Sequence, residues 1–115
     1  MAIAVITPSA KVGFIDNATS ADASGCEEIH AAVAGKKIKI RHLTINSTDA
    51  ISITIGAGET AGAVTTAILG PIAFAALESM QWNFNPLLEL PAATSLTVDA
   101  SGAGAICVFV QGVIE

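Results

Sequence analysis

The sequence predicts an all-β protein that folds as one domain of short antiparallel strands. Apolar and polar residues alternate with a period of two in several segments, of which 51–55 and 96–98 are the clearest. Such alternation indicates a strand with one buried face. Clusters of Gly, Pro, Asn, Ser and Asp recur between these segments. Short strands with frequent turn signals are typical of a β-sandwich or a β-barrel.

The composition fits this fold class and excludes others. The chain has 115 residues, 52% of them hydrophobic and 13% charged, whereas charged residues usually make up about 25% of a soluble domain. A chain this apolar is not disordered, and its charge-poor surface indicates that other subunits cover part of it. The net charge of −5 gives no broad positive field for phosphate groups, so we expect no nucleic-acid partner.

The N-terminal segment is predicted to be an arm over residues 1–9, followed by the β-sandwich domain over 10–115. MAIAVITPSA has no basic residue before its apolar ones, unlike a secretory signal peptide. The longest uncharged stretch, 61–77, contains Gly70-Pro71 and is shorter than the roughly twenty apolar residues of a membrane span. We therefore expect no membrane partner and assembly in the cytoplasm.

Residues 25–45 predict a β-hairpin with Gly35-Lys36 as its loop, since glycine at the first loop position suits a type II′ turn. Only one register matches apolar with apolar residues, because a slip of one residue turns one strand over. The apolar face then carries the pairs Val33–Ile38, Ala31–Ile40 and Ile29–His42. The opposite face carries Lys37, Lys39 and Arg41, three of the five cations. We interpret this basic row as the outer face of the hairpin.

The alternation changes phase after Arg41, because Leu43 and Ile45 fall on the face of the basic row. Two explanations remain open. A β-bulge near His42 reverses the strand, or the second half of the strand is buried on both faces. The second explanation would place a subunit contact at Leu43 and Ile45.

The alanine-rich segment 61–80 is predicted to form two short strands on either side of Gly70-Pro71, followed by a loop. The Gly-Pro pair breaks any long helix, and Val64, Thr65 and Thr66 favour strands. A helix over 75–80 is the alternative. The strand at 105–110 is apolar on both faces, which indicates burial on both sides.

No catalytic or metal-binding motif is present, so we expect no enzyme, no cofactor and no metal. GxSxG and HExxH are missing. The glycine pairs 56–58 and 102–104 are predicted to be hairpin turns rather than phosphate-binding loops. His30 and His42 lie on opposite faces of the predicted hairpin, and we interpret His42 as a core histidine.

The cysteines and aromatic residues are interpreted as structural. Cys26 and Cys107 form no disulfide framework, although one bridge between neighbouring strands is the alternative to two buried thiols. Trp82 and Phe84 alternate in QWNFNP and share a face, as expected of core or interface anchors. The alternative is an exposed aromatic platform for sugars on Trp82.

Several segments together resemble a known family. AAVAGKKIKIRHLTI, SITIGAG, LGPIAFAA, FNPLLEL and the terminal VQGVIE are similar to segments of small β-sandwich virion proteins of tailed bacteriophages, the capsid decoration or cement proteins. The resemblance extends over most of the chain, and its motifs belong to the fold rather than to any catalytic site.

The resemblance implies a jelly-roll-like sandwich of about eight antiparallel strands, present as a homotrimer on the capsid surface of a virion. The partner would be the major capsid protein, and the function would be to bind and stabilise the assembled head. A tail or fibre accessory role and a carbohydrate-binding module are the alternatives. The expected interface residues are Leu43, Ile45, Trp82, Phe84, Phe109, Lys37, Lys39 and Arg41.

Overall fold

The computed structural model describes residues 12–20 and 26–115, so the expected arm over 1–9 lies outside the described residues. The described chain forms strands and turns, and no helix in it could cross a membrane. The strands are β1 (Val12–Ser20), β2 (Cys26–His30), β3 (Ile38–Ser47), β4 (Ser52–Thr60), β5 (Ala63–Ala73), β6 (Glu78–Glu89), β7 (Leu96–Ala100) and β8 (Ile106–Ile114).

The strands form two four-stranded antiparallel sheets. Sheet A has the order β1-β8-β3-β6, and sheet B has the order β2-β7-β4-β5. The two halves of the chain therefore pair in sequence: β1 with β8, β2 with β7, β3 with β6, and β4 with β5. This is the pairing of a jelly roll. The predicted all-β, jelly-roll-like sandwich is confirmed.

The core lies between the sheets and is built from every second residue of the inner strands. Full burial of one such aliphatic side chain contributes about 1.5–3 kcal/mol. β3 and β4, from opposite sheets, supply the most deeply buried isoleucines: Ile38, Ile40, Ile45, Ile53 and Ile55.

A β-bulge in β3 explains the change of phase in the sequence. The register of β3 shifts between Ile40 and His42 against both β6 and β8. Because Arg41 is the extra residue, Leu43 and Ile45 return to the inner face, and both are fully buried. The bulge explanation is confirmed, and burial of both faces of β3 is wrong.

The predicted hairpin between β2 and β3 is wrong. β2 pairs with β7 in sheet B, whereas β3 pairs with β6 and β8 in sheet A. The connection crosses from one sheet to the other through a turn in which Lys36 N–H donates to the Val33 carbonyl (3.1 Å) and Gly35 has a φ of +71°. Each strand alternates because each covers the same core from its own side.

The segment after β4 also departs from the prediction. β5 is one irregular strand that runs through Gly70-Pro71, so the prediction of two short strands is wrong, whereas residues 74–77 form the predicted loop before β6 and the helix alternative is wrong. Gly56 and Gly58 lie within β4, where the Val64 side chain covers Gly56, so the predicted turn at 56–58 is wrong. Gly102 and Gly104 lie in the connection between β7 and β8. It joins the two sheets, so it is not a hairpin turn.

Candidate functional site: the exposed surfaces of the sandwich

The lysines of the basic row are bound by carboxylates of the same chain. Lys37 Nζ donates to Glu89 Oε1 (2.6 Å), and Lys39 Nζ donates to Glu115 Oε2 (3.0 Å). The hydrogen bond and the positive charge of Lys37 hold the pKa of the Glu89 carboxyl below its ordinary value. These two predicted interface residues therefore form an ion-pair cluster at one end of sheet A, where β3, β6 and the C-terminus meet.

Arg41 differs from the two lysines because the bulge separates it from the cluster. Its side chain is exposed and has neither a hydrogen bond nor an ion pair within residues 12–20 and 26–115. The bulge thus presents one guanidinium, with all its donors available, beside the basic end of the sheet.

Four other predicted interface residues occupy two different environments. Leu43 and Ile45 are fully buried in the core of the single chain, so the predicted contact role is wrong for these two side chains. Trp82 and Phe84 are half-buried and pack against the core from β6. This placement fits the anchor interpretation and removes the exposed platform on which the Trp82 sugar-binding alternative depended.

The side of the sandwich formed by β5 and β6 has two long edge strands. β5 pairs only with β4 and β6 only with β3 within the described chain. β5 carries no charged residue, and β6 carries none between Ser79 and Leu88. Native proteins usually protect edge strands with charges or by keeping them short, because an unpaired edge is a template for another chain. We name this region the β5/β6 side.

Phe109, the eighth predicted interface residue, lies on the outer face of sheet A. Strand pairing arranges the outward residues of β1, β8, β3 and β6 into rows of four. The row nearest the ion-pair cluster contains Lys39 and Glu89. Three uncharged rows follow it: Ile15, Gln111, His42 and Asn83; Asn17, Phe109, Thr44 and Gln81; and Thr19, Cys107, Asn46 and Ser79. We name these twelve residues the outer face of sheet A.

The interpretation of His42 as a core histidine is wrong, because the bulge turns it onto this outer face. Its Nδ1–H donates to Asn83 Oδ1 (2.7 Å), and the Thr44 hydroxyl donates to its Nε2 (2.9 Å). Its ring meets the ring of Phe109 edge-on, with 6.1 Å between centroids and an interplanar angle of 66°.

An open groove of about 550 Å³ crosses the end of this face that is remote from the ion-pair cluster. Thr19, Asn46, Ser79 and Cys107 belong to its lining, and Leu77 stands on its rim. Leu77 is 84% exposed and has a left-handed φ of 59°. No pattern in the sequence predicts this exposure, because Leu77 lies in an alanine-rich segment that is compatible with either a helix or a loop.

Both cysteines are free thiols. Cys107 is on the outer face of sheet A, where its thiol donates to Asn17 Oδ1 (3.1 Å), whereas Cys26 is on β2 in sheet B. Burial raises the pKa of the Cys26 thiol, partly offset by a hydrogen bond with Thr97. The alternative of a bridge between neighbouring strands is wrong, and so is the interpretation of Cys107 as a core residue.

Sequence reasoning missed a contact between the two sheets. His30 on β2 donates from Nδ1 to Asp16 Oδ2 on β1 (2.6 Å), and its ring packs against Phe14 with 4.8 Å between centroids. Nothing in the sequence pairs residues 16 and 30, because β1 and β2 belong to different sheets. Among the described residues, no cluster of three or more His, Cys, Asp or Glu side chains is placed to hold a metal ion.

No protein-family model and no curated protein matches the sequence. Among solved structures, a chain of the cyanophage Pam1 capsid asymmetric unit is similar over 96% of this chain and 93% of that chain, with 11% identity and a TM-score of 0.43. A chain from Bacillus endospore appendages, described as a family of disulfide-linked pili, is similar over 97% of each chain, with 13% identity and a TM-score of 0.39. At scores this low, neither likeness carries a functional conclusion for this chain.

Proposed function

We propose that the chain is a structural virion protein of a tailed bacteriophage, a capsid decoration protein that assembles into a homotrimer and stabilises the assembled head. The sequence resemblance supplies the family. The observation that carries the proposal is the β5/β6 side, where two long edge strands, charged only at the ends of β6, each have one edge without a partner strand in the described chain.

The position of this side follows from the contact at the opposite side. Asp16 and His30 join β1 to β2, so these two edge strands lie over each other. The other two edges, β5 and β6, therefore lie on the opposite side of the sandwich. β1 and β2 carry Asp16, Glu27 and Glu28 along their lengths, whereas the charges of β5 and β6 are confined to Glu78 and Glu89 at the two ends of β6. The middle of the β5/β6 side is thus left for contact with other copies.

Attachment to the head is assigned to the basic end of sheet A. Lys37 and Lys39 are already paired with Glu89 and Glu115, so Arg41 is the member of the basic row available to a carboxylate of the major capsid protein. An arginine can bind a carboxylate through two parallel hydrogen bonds. Many copies on one lattice add avidity to a weak single contact.

The experiment compares two alanine-to-lysine variants by light scattering and by co-sedimentation with shells of the cognate major capsid protein. Ala67 is exposed on β5, and Ala103 is exposed in the connection between β7 and β8, so Ala103→Lys is the matched control. We expect a trimer for the wild type and for Ala103→Lys, but a monomer for Ala67→Lys, because a lysine on an edge strand opposes strand addition.

Co-sedimentation tests the decoration role itself. We expect the wild type to bind assembled shells and not free capsid subunits, and Arg41→Gln to weaken binding and its dependence on salt. Lys36→Gln, at another position without an ion pair in the described chain, is the control. A chain that is monomeric and ignores shells contradicts the proposal.

A further inference from the structure

The outer face of sheet A has a composition unlike the rest of the chain. None of its twelve residues is an acid, a lysine or an arginine. Five are amides: Asn17, Asn46, Gln81, Asn83 and Gln111. All five are exposed. A solvated sheet face ordinarily carries charged residues, which keep proteins soluble, so three successive rows without a charged side chain need a different explanation.

Three of these amides are unused by the protein. Asn17 and Asn83 accept hydrogen bonds from Cys107 and His42. The side chains of Asn46, Gln81 and Gln111 make no hydrogen bond within the described chain. Each therefore offers two N–H donors and one carbonyl acceptor to a ligand.

An aromatic ring lies in the middle of these amides. Phe109 occupies the central row between Asn17 and Thr44. Its ring is half-buried and held edge-on by His42. A fixed aromatic surface supplies apolar contact at little cost in side-chain entropy, while the surrounding amides fix the orientation of a polar ligand.

The groove at one end of the outer face of sheet A adds a concave region to an otherwise open surface. Its volume of about 550 Å³ lies within the range of small-molecule sites, roughly 300–1,000 Å³. Thr19, Asn46 and Ser79 contribute hydroxyl and amide groups, and Leu77 contributes an exposed apolar side chain. The groove thus repeats the chemistry of the face, with neutral hydrogen-bonding groups next to apolar carbon.

This chemistry selects among ligand classes. An anionic ligand finds no cation on the twelve positions, and the chain has a net charge of −5. A second protein surface would bury free amides, which is unfavourable unless each one meets a matching group. A sugar hydroxyl both donates and accepts, so it pairs with any orientation of an amide, and the C–H face of a sugar ring packs on an aromatic side chain.

We propose that the outer face of sheet A, from Phe109 to the groove beside Leu77, binds neutral carbohydrate. The site shares β6 with the β5/β6 side through Ser79, Gln81 and Asn83, but its centre lies on β8 and β3. Carbohydrate binding by a single chain does not depend on the decoration role. In an assembled trimer the same face on each copy would add avidity for a polysaccharide with repeated units.

The experiment is an NMR titration of the full ¹⁵N-labelled chain with maltohexaose, cellohexaose and chitohexaose, followed by calorimetry with the oligosaccharide that binds best. We expect amide shifts confined to the outer face of sheet A. Gln81→Glu and Gln111→Glu each place a carboxylate on the face, and we expect each to weaken binding at least tenfold. Ala32→Glu adds the same charge in the connection between β2 and β3, outside both the face and the β5/β6 side, and is expected to bind as the wild type does.

Several outcomes would overturn the inference. One is that none of the three oligosaccharides shifts the face at millimolar concentration. Another is that Gln81→Glu and Gln111→Glu bind as tightly as Ala32→Glu. Face resonances that move with protein concentration alone would identify a contact between copies instead. Co-sedimentation of Gln111→Glu with shells separates the proposals, because Gln111 lies on the inner strand β8 and attachment should persist in this variant even when carbohydrate binding is lost.

Discussion

Gly112 shows how one residue permits the bulge that shapes the surface. It lies on the inner side of β8 opposite Ile40. A Cβ at this position would collide with the carbonyl oxygen of Lys39 and lie 3.0 Å from Cε1 of Phe14. The missing side chain therefore makes room both for the distorted backbone of β3 and for a ring that covers the gap.

We expect Gly112→Ala to lower the free energy of unfolding by about 1–3 kcal/mol, as overpacking in a well-packed interior does. Urea denaturation measures the change. Gly13→Ala is the control, because a Cβ there meets only the Gly112 carbonyl oxygen at 3.9 Å, and we expect it to stay within about 0.5 kcal/mol of the wild type. Equal midpoints for the two variants would show that the bulge adjusts without cost.

Glu89 gives a prediction about pH at the same scale. Lys37 lowers the pKa of Glu89 in the folded chain. The pairing therefore stabilises the fold above the ordinary pKa of a glutamate, and this contribution is lost as the pH falls through the lowered value. In Lys37→Gln we expect the Glu89 carboxyl to titrate nearer its ordinary pKa, measured by NMR. Lys36→Gln should leave the titration of the Glu89 carboxyl unchanged. An equal pKa shift in both variants would show that Lys37 is not the specific cause of the lowered pKa.

At the scale of elements, the Asp16–His30 contact joins the edge strands of the two sheets. The two side chains are 29% and 24% exposed, so solvent screens their interaction and we expect a coupling energy of only about 0.5–1 kcal/mol. A double-mutant cycle with Asp16→Asn and His30→Gln, followed by urea denaturation, measures it. Additive effects of the two substitutions would mean that the sheets are held together at this side by Phe14 and the core alone.

The same contact shows what the sequence can predict and what it cannot. Alternation identified the buried face of β3 and β4, since a period of two follows from strand geometry. Alternation does not identify a strand's partner, because β2 and β3 match in a hairpin register and yet cover the core from opposite sheets. The His30–Asp16 contact depends on that partner choice and was missed for this reason.

The bulge accounts for most of the other differences at this scale. The change of phase at Leu43 correctly indicated a bulge as one explanation. Only the observed register identifies Arg41 as the extra residue and shows that His42 points outward. The candidate site was therefore predicted in part: Phe109 and the basic row were identified, whereas the amide rows were not. Amides spaced along four separate strands show no local motif, and pairing alone brings them together.

At the scale of the whole molecule, the jelly roll separates three surfaces. The edges of β5 and β6 lie on one side, Arg41 lies near the ion-pair cluster at one end of sheet A, and the neutral face extends away from that cluster. Because the sheets are tied by a common core, a surface substitution in one region should not disturb the others. Effects of variants at distant sites usually add, so assembly, attachment and carbohydrate binding can be tested independently.

Attachment to a shell should also stabilise the attached chain, because a partner that binds only the folded state shifts the unfolding equilibrium. When the concentration of free binding sites on the shells exceeds the dissociation constant about a hundredfold, the free energy of unfolding rises by about 2.7 kcal/mol. This rise corresponds to roughly 10 °C in the unfolding midpoint of a domain of this size. Proteolysis across a temperature series, with this chain's peptides followed by mass spectrometry, measures the midpoint in the presence of shells. Free capsid subunits at equal concentration should produce no shift. If they protect the chain as well as shells do, the chain recognises the subunit rather than the lattice, and the assembled head gains nothing from its binding.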